Sequence, residues 1–328
     1  MLGKAIAITS TVVLLTALLI TYEMNHWPIS EEQYNEHISG KVFLLSGASS
    51  GIGEEVAYQL AALGAKVIIT ARSVDKLEKV RENAVKHHGG KVGDIRVMRC
   101  DMSDTEQAVN LIPDAISIFG RVDHVILNQA ALATGPFLAT KAMQDPQFIE
   151  RVFRTNVFSN IQAAIAVIPE LEKTGGHMLV TSSISGEIPF FWAGLYSSSK
   201  YALNGFFYSL QQELEALKSN VTVSVAALGM INTEMTKAVT DHLMNIPDFT
   251  KGDLAECAQL MIDNFIVRSP TLSYPKISLA LSRVLLWLKP IIGDPLLADP
   301  NAHKDAVRLS ERVNVYSKSE GMQAGNLG

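Results

Sequence analysis

Apolar positions along the chain fall into short, nearly continuous blocks separated by longer stretches in which they recur every three or four residues. The blocks Lys41 to Leu45, Lys66 to Ala71, Asp94 to Arg99, Val122 to Leu127, His177 to Thr181, Val221 to Ala227 and Thr271 to Tyr274 read as strands. The stretches Glu54 to Leu63, Val74 to His87, Pro146 to Leu171 and Asp253 to Val267 read as helices. Gly64 closes the first helix and Gly89-Gly90 the second, which is charged. Ser103-Asp104-Thr105-Glu106 has the form of a capping box, which gives Ser103 a structural job and no other. Buried strands alternating with helices predict an α/β domain with a mostly parallel sheet flanked by helices. The stretch Glu234 to Lys251 has mixed polarity and reads as a mobile lid.

Two further apolar runs stand outside this alternation. Ala5 to Tyr22 carries no charge over 18 residues, which makes a helix of about 27 Å, just long enough to span a bilayer core. A retained transmembrane anchor is favoured over a cleaved signal peptide, because the run exceeds a usual signal core and no clear Ala-x-Ala site follows. Lys4 precedes the run, and Glu23, Glu31, Glu32 and Glu36 follow it, a bias toward a cytosolic N-terminus and a luminal domain. Asn220-Val221-Thr222 is a glycosylation sequon that agrees with this topology. Ile277 to Ile292 reads as a core or dimer helix, or as a segment resting on the membrane surface. The chain is thus divided into an anchor at 1–24, a linker at 25–39, one domain at 40–293 and a polar tail at 294–328.

Composition narrows the classes. The 328 residues carry a net charge of −5 without a basic stripe, so nucleic-acid binding is not expected. The two cysteines, Cys100 and Cys257, lie far apart, and the histidines are scattered apart from the neighbours His87 and His88, so neither a disulfide framework nor a metal site is expected.

Chemistry enters at the ends of the strands. The first runs into Ser46-Gly47-Ala48-Ser49-Ser50-Gly51-Ile52-Gly53 and then a helix, the context of a dinucleotide-binding turn. Gly47 permits the tight turn, Gly51 the approach of a pyrophosphate and Gly53 close helix–strand packing, with Ser49, Ser50 and Ile52 as neighbouring contacts. Arg72 follows the second strand, about 20 residues on, where an acidic residue would hold the ribose hydroxyl of NAD. A guanidinium there suits a 2′-phosphate and favours NADP(H), with Ser73 as a second donor; the plainer alternative is a surface arginine. Asp101 beside Met102 is placed to accept from an adenine amine, and Asn128-Gln129-Ala130, ending the fourth strand, is a cofactor-side candidate. Tyr196 and Lys200 share a helix face at i, i+4, a pair suited to moving a proton at a carbonyl or alcohol oxygen if the ammonium lowers the phenol's pKa. Ser183 lies 13 residues before the tyrosine at a strand end. Asn156 falls inside a helix, where a surface position is the competing reading. Phe190, Phe191 and Trp192 either pack in the core or line a hydrophobic substrate pocket.

Taken in order, the glycine motif, Asp101, Asn128, Asn156, Ser183, Tyr196 and Lys200 resemble the short-chain dehydrogenase/reductase family over roughly 40–267. Ala71-Arg72-Ser73, Leu228-Gly229, the sequon and the N-terminal run resemble its membrane-anchored 11β-hydroxysteroid dehydrogenase branch. The resemblance implies a doubly wound Rossmann fold, NADP(H), a homodimer formed through the long helices, and an endoplasmic-reticulum membrane location. It further implies that Tyr196 is the general acid or base, that Lys200 lowers its pKa and binds the nicotinamide ribose, and that Ser183 binds the substrate oxygen. Asn156 would hold a water linked to Lys200, while Ile231 and Thr233 would meet the nicotinamide. The implied reaction interconverts a ketone and a secondary alcohol on a lipophilic, steroid-like substrate; a retinoid or other lipid carbonyl, or a non-catalytic anchored binding protein, are the alternatives. Three positions depart from the family pattern: Ser46 stands for threonine, Gln129 for asparagine, and Ser50 for a lysine of the steroid branch.

Overall fold

The computed structural model describes residues 28–91, 94–135, 137, 141–190, 192–240 and 251–275. Seven strands form one parallel sheet: β1 (Val42–Ser46), β2 (Lys66–Ala71), β3 (Ile95–Arg99), β4 (His124–Leu127), β5 (His177–Thr181), β6 (Thr222–Leu228) and β7 (Thr271–Tyr274), in the order β3-β2-β1-β4-β5-β6-β7. β1 pairs with β2 on one side and β4 on the other. The chain therefore winds outward in both directions from β1, and the crevice above the carboxyl ends of β1 and β4 is the switch point where such sheets bind ligands.

Alternation along β1 shows how the strands are covered. Phe43 and Leu45 face a core shared with α2 (Gly51–Ala62), α3 (Val74–His87) and α10 (Leu254–Val267). Leu44 faces the opposite core, shared with α4 (Thr105–Phe119), α7 (Ser159–Glu172) and α8 (Gly194–Ala216). Successive side chains point to opposite faces, so both must be apolar where helices cover both sides.

The expected elements are present, with four informative differences. α2 begins at Gly51, three residues ahead of the expected Glu54, which puts its N-terminus inside the glycine motif. The N-cap of α4 is Asp104, whose carboxylate accepts from the amides of Glu106 at 2.9 Å and Gln107 at 3.2 Å; Ser103 instead pairs with Asp101. The long helix is not continuous: α6 (Pro146–Phe153) passes through a π-helical turn, Arg154–Phe158, into α7. Within the expected linker, α1 (Glu31–His37) is started by a Ser30/Gln33 capping box, Ile38 is fully buried, and Tyr34 donates to Asp263 of α10. The short helices α5 (Lys141–Gln144) and α9 (Glu234–Thr240) complete the set.

The runs Ala5 to Tyr22 and Ile277 to Ile292, the polar tail, Phe191 and the larger part of the expected lid lie outside the described residues. Among the described residues, no helix is long and apolar enough to cross a membrane.

Opposite the crevice, at the amino end of the sheet, His124 and His177 are enclosed with Phe43 and Phe265. His124 Nδ1 accepts from the His177 amide at 3.2 Å, and the His177 ring meets Thr222 Oγ1 at 2.7 Å and Ser224 Oγ at 3.0 Å. Burial pushes His124 down from 6.5 to about 3, against the smaller opposing pull of Asp123, and holds His177 well below its ordinary value. Between those values the unfolded chain binds a proton that the folded imidazole refuses, so stability from these groups is lost as pH falls below 6.5. His124→Asn keeps an acceptor for the His177 amide but does not titrate. Denaturant titrations across the acid range should show its stability falling less steeply than the parent's, by about 1.4 kcal/mol per pH unit; parallel slopes would show that His124 is not held neutral.

Candidate active site

The glycine turn is shaped by steric necessity at two positions. Gly47 has φ +66°, and a Cβ there would come within 2.8 Å of the Gln129 backbone. At Gly53 a Cβ would lie 2.3 Å from the Gly47 carbonyl oxygen, so β1 and α2 can approach only if this residue is glycine. Gly51 (φ +58°) faces the Thr233 methyl group. Ser50 is the N-cap of α2 yet makes no side-chain cap bond, while Ser49 and Ile52 are partly buried beside it. The first-turn amides of α2 thus receive no side-chain cap from Ser50 and open on the switch-point crevice, an arrangement that favours an anion. Arg72, at the end of β2, is exposed and enters no ion pair among the described residues.

Other expected contacts have local partners. Ser73 Oγ caps α3 by a long bond from the Lys76 amide at 3.5 Å. Asp101 Oδ1 accepts from the Ser103 amide and hydroxyl at 2.9 and 2.8 Å. Met102 is buried in the core beside Cys100, so its side chain is a packing element. Ile231 is likewise buried and bridges to Gly252, while Thr233 Oγ1 accepts from the Thr236 amide at 3.2 Å at the start of α9. Gln129 engages its amide with Ser46 and Asn160 rather than leaving it free toward the crevice. Ala130 is partly buried.

Asn128 ties three strand ends together. Its amide donates to Ser46 Oγ at 3.1 Å, its Nδ2 to the Gly47 carbonyl at 3.2 Å, and its Oδ1 accepts from Thr181 Oγ1 at 3.1 Å. Asn156 is fully buried in the π-helical turn, which excludes the surface reading. Its side chain pairs with the Ala131 backbone as a strand would, accepting from N at 2.6 Å and donating to O at 3.0 Å, and also donates to Ser199 Oγ at 2.9 Å. Ser199 Oγ in turn donates to the Tyr196 carbonyl at 2.7 Å.

Tyr196 and Lys200 lie on the first turns of α8, which packs against β6 and the turn at Ile184–Gly186. Lys200 is 1% exposed and its Nζ donates to the Thr181 carbonyl at 2.9 Å, with the Tyr196 ring centroid 5.7 Å away. Burial alone pushes Lys200 down to about 8. Tyr196 is pushed up to about 12, chiefly by burial of its hydroxyl, with a hydrogen bond from Ser183 pulling the other way. The expected lowering of the phenol by Lys200 is not among the causes of the shift, which burial dominates, so at neutral pH the group is a proton-bearing phenol. Ser183 is 8% exposed, and its Oγ also accepts from the Ser185 amide at 3.1 Å. Phe190 packs with Ile184 and Ile188 beside this loop. Trp192 is partly buried, has φ +63°, and accepts from the Gly135 amide at 2.6 Å.

The structure thus brings Ser183, Tyr196, Lys200 and Asn156 to one side of the crevice and the glycine turn to the other. Sequence reasoning missed Thr181, Ser199 and Asn160, which hold this set. Asn160 and Ser199 had a signal, falling at i+4 from Asn156 and i+3 from Tyr196. Among the described residues, no cluster of His, Cys, Asp or Glu is arranged to hold a metal ion.

A parallel sheet with a glycine turn at its switch point and a Tyr beside a buried Ser and Lys defines a nucleotide-dependent oxidoreductase scaffold. Comparison with known proteins agrees: the family model described as short chain dehydrogenase matches residues 41–243, and the chain belongs to that family of oxidoreductases. It is 33% identical over 258 residues to the hydroxysteroid 11-beta-dehydrogenase 1-like protein of Gallus gallus, covering 79% of this chain and 83% of that one. The Danio rerio protein of the same description is 35% identical over 243 residues, covering 74% and 82%. Among solved structures, a metagenomic short-chain oxidoreductase in complex with NADP is 25% identical, with a TM-score of 0.57 and 72% and 96% of the two chains covered. A short chain dehydrogenase/reductase from Burkholderia phymatum in complex with NAD shares the fold at 20% identity, with a TM-score of 0.66 and coverage of 80% and 98%.

The depressed pKa of Lys200 means that its charge destabilises the fold below pH 8 and that the penalty fades as pH rises toward 10.5. Lys200→Met should therefore raise the melting temperature of the cofactor-free protein at pH 7 by roughly 2–6 °C. The gain should shrink as pH is raised through 8 to 9.5; an unchanged or lower melting temperature at pH 7 would show that the Thr181 bond outweighs desolvation.

Proposed function

We propose that this chain is a membrane-anchored, NADP(H)-dependent oxidoreductase that interconverts a ketone and a secondary alcohol on a lipophilic, steroid-like substrate. The reading is carried by one observation: the Tyr196 ring lies 5.7 Å from the buried ammonium of Lys200, with the buried Ser183 in the turn that follows β5. In reduction Tyr196 gives its proton to the forming alkoxide, and in oxidation it receives the alcohol proton. Ser183 donates to the same substrate oxygen and stabilises charge developing there. Lys200 binds the nicotinamide ribose and counters the phenolate left after transfer, while Asn156 fixes the helix contact that sets the geometry. The bound dinucleotide supplies or accepts the hydride.

Four observations support the remaining parts. The first-turn amides of α2 and the glycine turn suit a pyrophosphate, and the exposed Arg72, with Ser73, suits a 2′-phosphate. Phe190 packed on Ile184 and Ile188, with Trp192 beside it, gives an apolar side to a substrate pocket. The uncharged run Ala5 to Tyr22, preceded by Lys4 and followed by glutamates, supports a single-pass anchor with a luminal domain, in the endoplasmic reticulum as for the branch it resembles. Phe158, Ile165 and Tyr201 stand exposed on the helices through which a homodimer would form.

Purified full-length protein in detergent, given NADPH and a panel of steroid, retinoid and simple ketones, should reduce the lipophilic ketones. Tyr196→Phe should lower kcat by about 10²–10⁴-fold with the substrate still bound. Equal turnover by the variant would remove Tyr196 from the chemistry, and turnover of none of the ketones would favour a binding role. Arg72→Ala should cut the preference for NADPH over NADH by roughly 1–3 kcal/mol, or about 5- to 150-fold in the ratio of kcat/KM values. A ratio that does not move would mean the 2′-phosphate is held elsewhere.

A further inference from the structure

Two of the positions that depart from the family pattern, Ser46 and Gln129, are bonded to each other: the Ser46 hydroxyl donates to Gln129 Oε1. The other end of the Gln129 amide, Nε2, donates to Asn160 Oδ1 at 2.9 Å. Asn160 is 1% exposed, and its Nδ2 donates to the carbonyls of Asn156 at 3.0 Å and Thr155 at 3.4 Å. These are carbonyls of the π-helical turn. A π turn is wider than an α turn, and carbonyls displaced from the regular ladder need other donors if they are buried. Ser159 supplies one, its hydroxyl donating to the Thr155 carbonyl at 2.9 Å, and Asn160 supplies the other. Asn160 is held in turn by Gln129, which reaches across from the end of β4.

We propose that Gln129 is a positioning residue: through Asn160 it fixes the widened turn that presents Asn156 and ties that turn to the glycine turn at Ser46. A continuous path then runs Ser46–Gln129–Asn160–Asn156–Ser199 and ends on the carbonyl of Tyr196. Gln129 thus acts on the proton-transfer side of the crevice rather than as a contact to the dinucleotide, the role its position after β4 first suggests. The consequence for turnover rests on the function proposed above; the mechanical link does not.

Two variants separate these roles. Gln129→Met keeps the length of the side chain and removes both amide functions at a half-buried site. Asn160→Leu keeps approximate volume and removes the donor to Asn156. In the cofactor-free protein, amide hydrogen exchange at Ala131 and over 156–162 should accelerate by roughly tenfold in each, the loss of about one net hydrogen bond. The double variant should add little, because both changes break one path. With NADPH and a turned-over ketone, kcat should fall by about tenfold in each, while the Kd for NADPH stays within about twofold of the parent's. If exchange over 156–162 is unchanged in Gln129→Met, the strut does not exist. If that variant weakens NADPH binding tenfold while Asn160→Leu does not, Gln129 is a cofactor contact and the proposal falls. Should Asn160→Leu fail to fold, Gln129→Met decides the matter alone, and the exchange measurement stands even if no ketone is turned over.

Discussion

An ammonium group with almost no access to water is the constraint around which the crevice is built. Among the described residues Lys200 donates one hydrogen bond, to the Thr181 carbonyl, and that bond ties α8 to the end of β5. The cost of enclosing a charge is reflected in the fall of its pKa to about 8. Most neighbouring polar groups are paired: Asn156 with Ala131 and Ser199, Ser182 with Asn204, Asn128 with Gly47 and Thr181, while Ser197 Oγ on the same helix is buried without a partner among the described residues. A network this closely satisfied specifies one arrangement of strand ends and helix starts, since any shift would strand a buried donor or acceptor.

That rigidity serves the chemistry proposed for the site. A phenol pushed up to about 12 is a weak acid that stays protonated throughout the neutral range, so it has a proton to give. Ser183 is the group that pulls the phenol's pKa back down, and in the proposed reaction the enclosed Lys200 would compensate the charge left by proton loss. The same low-polarity surroundings that raise the phenol's pKa would strengthen both interactions once a substrate excludes remaining water. The proposed function of Lys200 would therefore pull against its cost to stability.

Much of the fold was legible because its signals are local. Fully buried strands gave continuous apolar runs, and the expected β2, β5 and β7 coincide with those observed. Glycine spacing announced the turn because Gly53 is required by a backbone contact that no other residue permits. What escaped was set by pairing between distant segments. The break at Arg154 leaves no composition signal, since its carbonyls are satisfied by Ser159 and Asn160, residues unremarkable in a helix. The cap of α4 fell to Asp104 rather than Ser103 because Asp101 competes for the serine, a contact invisible in the capping pattern alone. Gln129 read as a cofactor residue from its place after β4, whereas its amide is committed to Ser46 and Asn160. The direction of the Tyr196 shift also turned on burial, which an i, i+4 spacing cannot report.

The central claim is that the crevice carries out hydride transfer from a nicotinamide cofactor to a carbonyl carbon with a protein-derived proton at oxygen. It is tested most directly by supplying NADPH deuterated at the transferred position of C4, in each of the two stereochemical forms, with a reducible lipophilic ketone, and examining the alcohol by mass spectrometry. One deuterium on the carbinol carbon from one form and none from the other is the predicted result. Alcohol that forms without deuterium from either would contradict direct hydride transfer at this site.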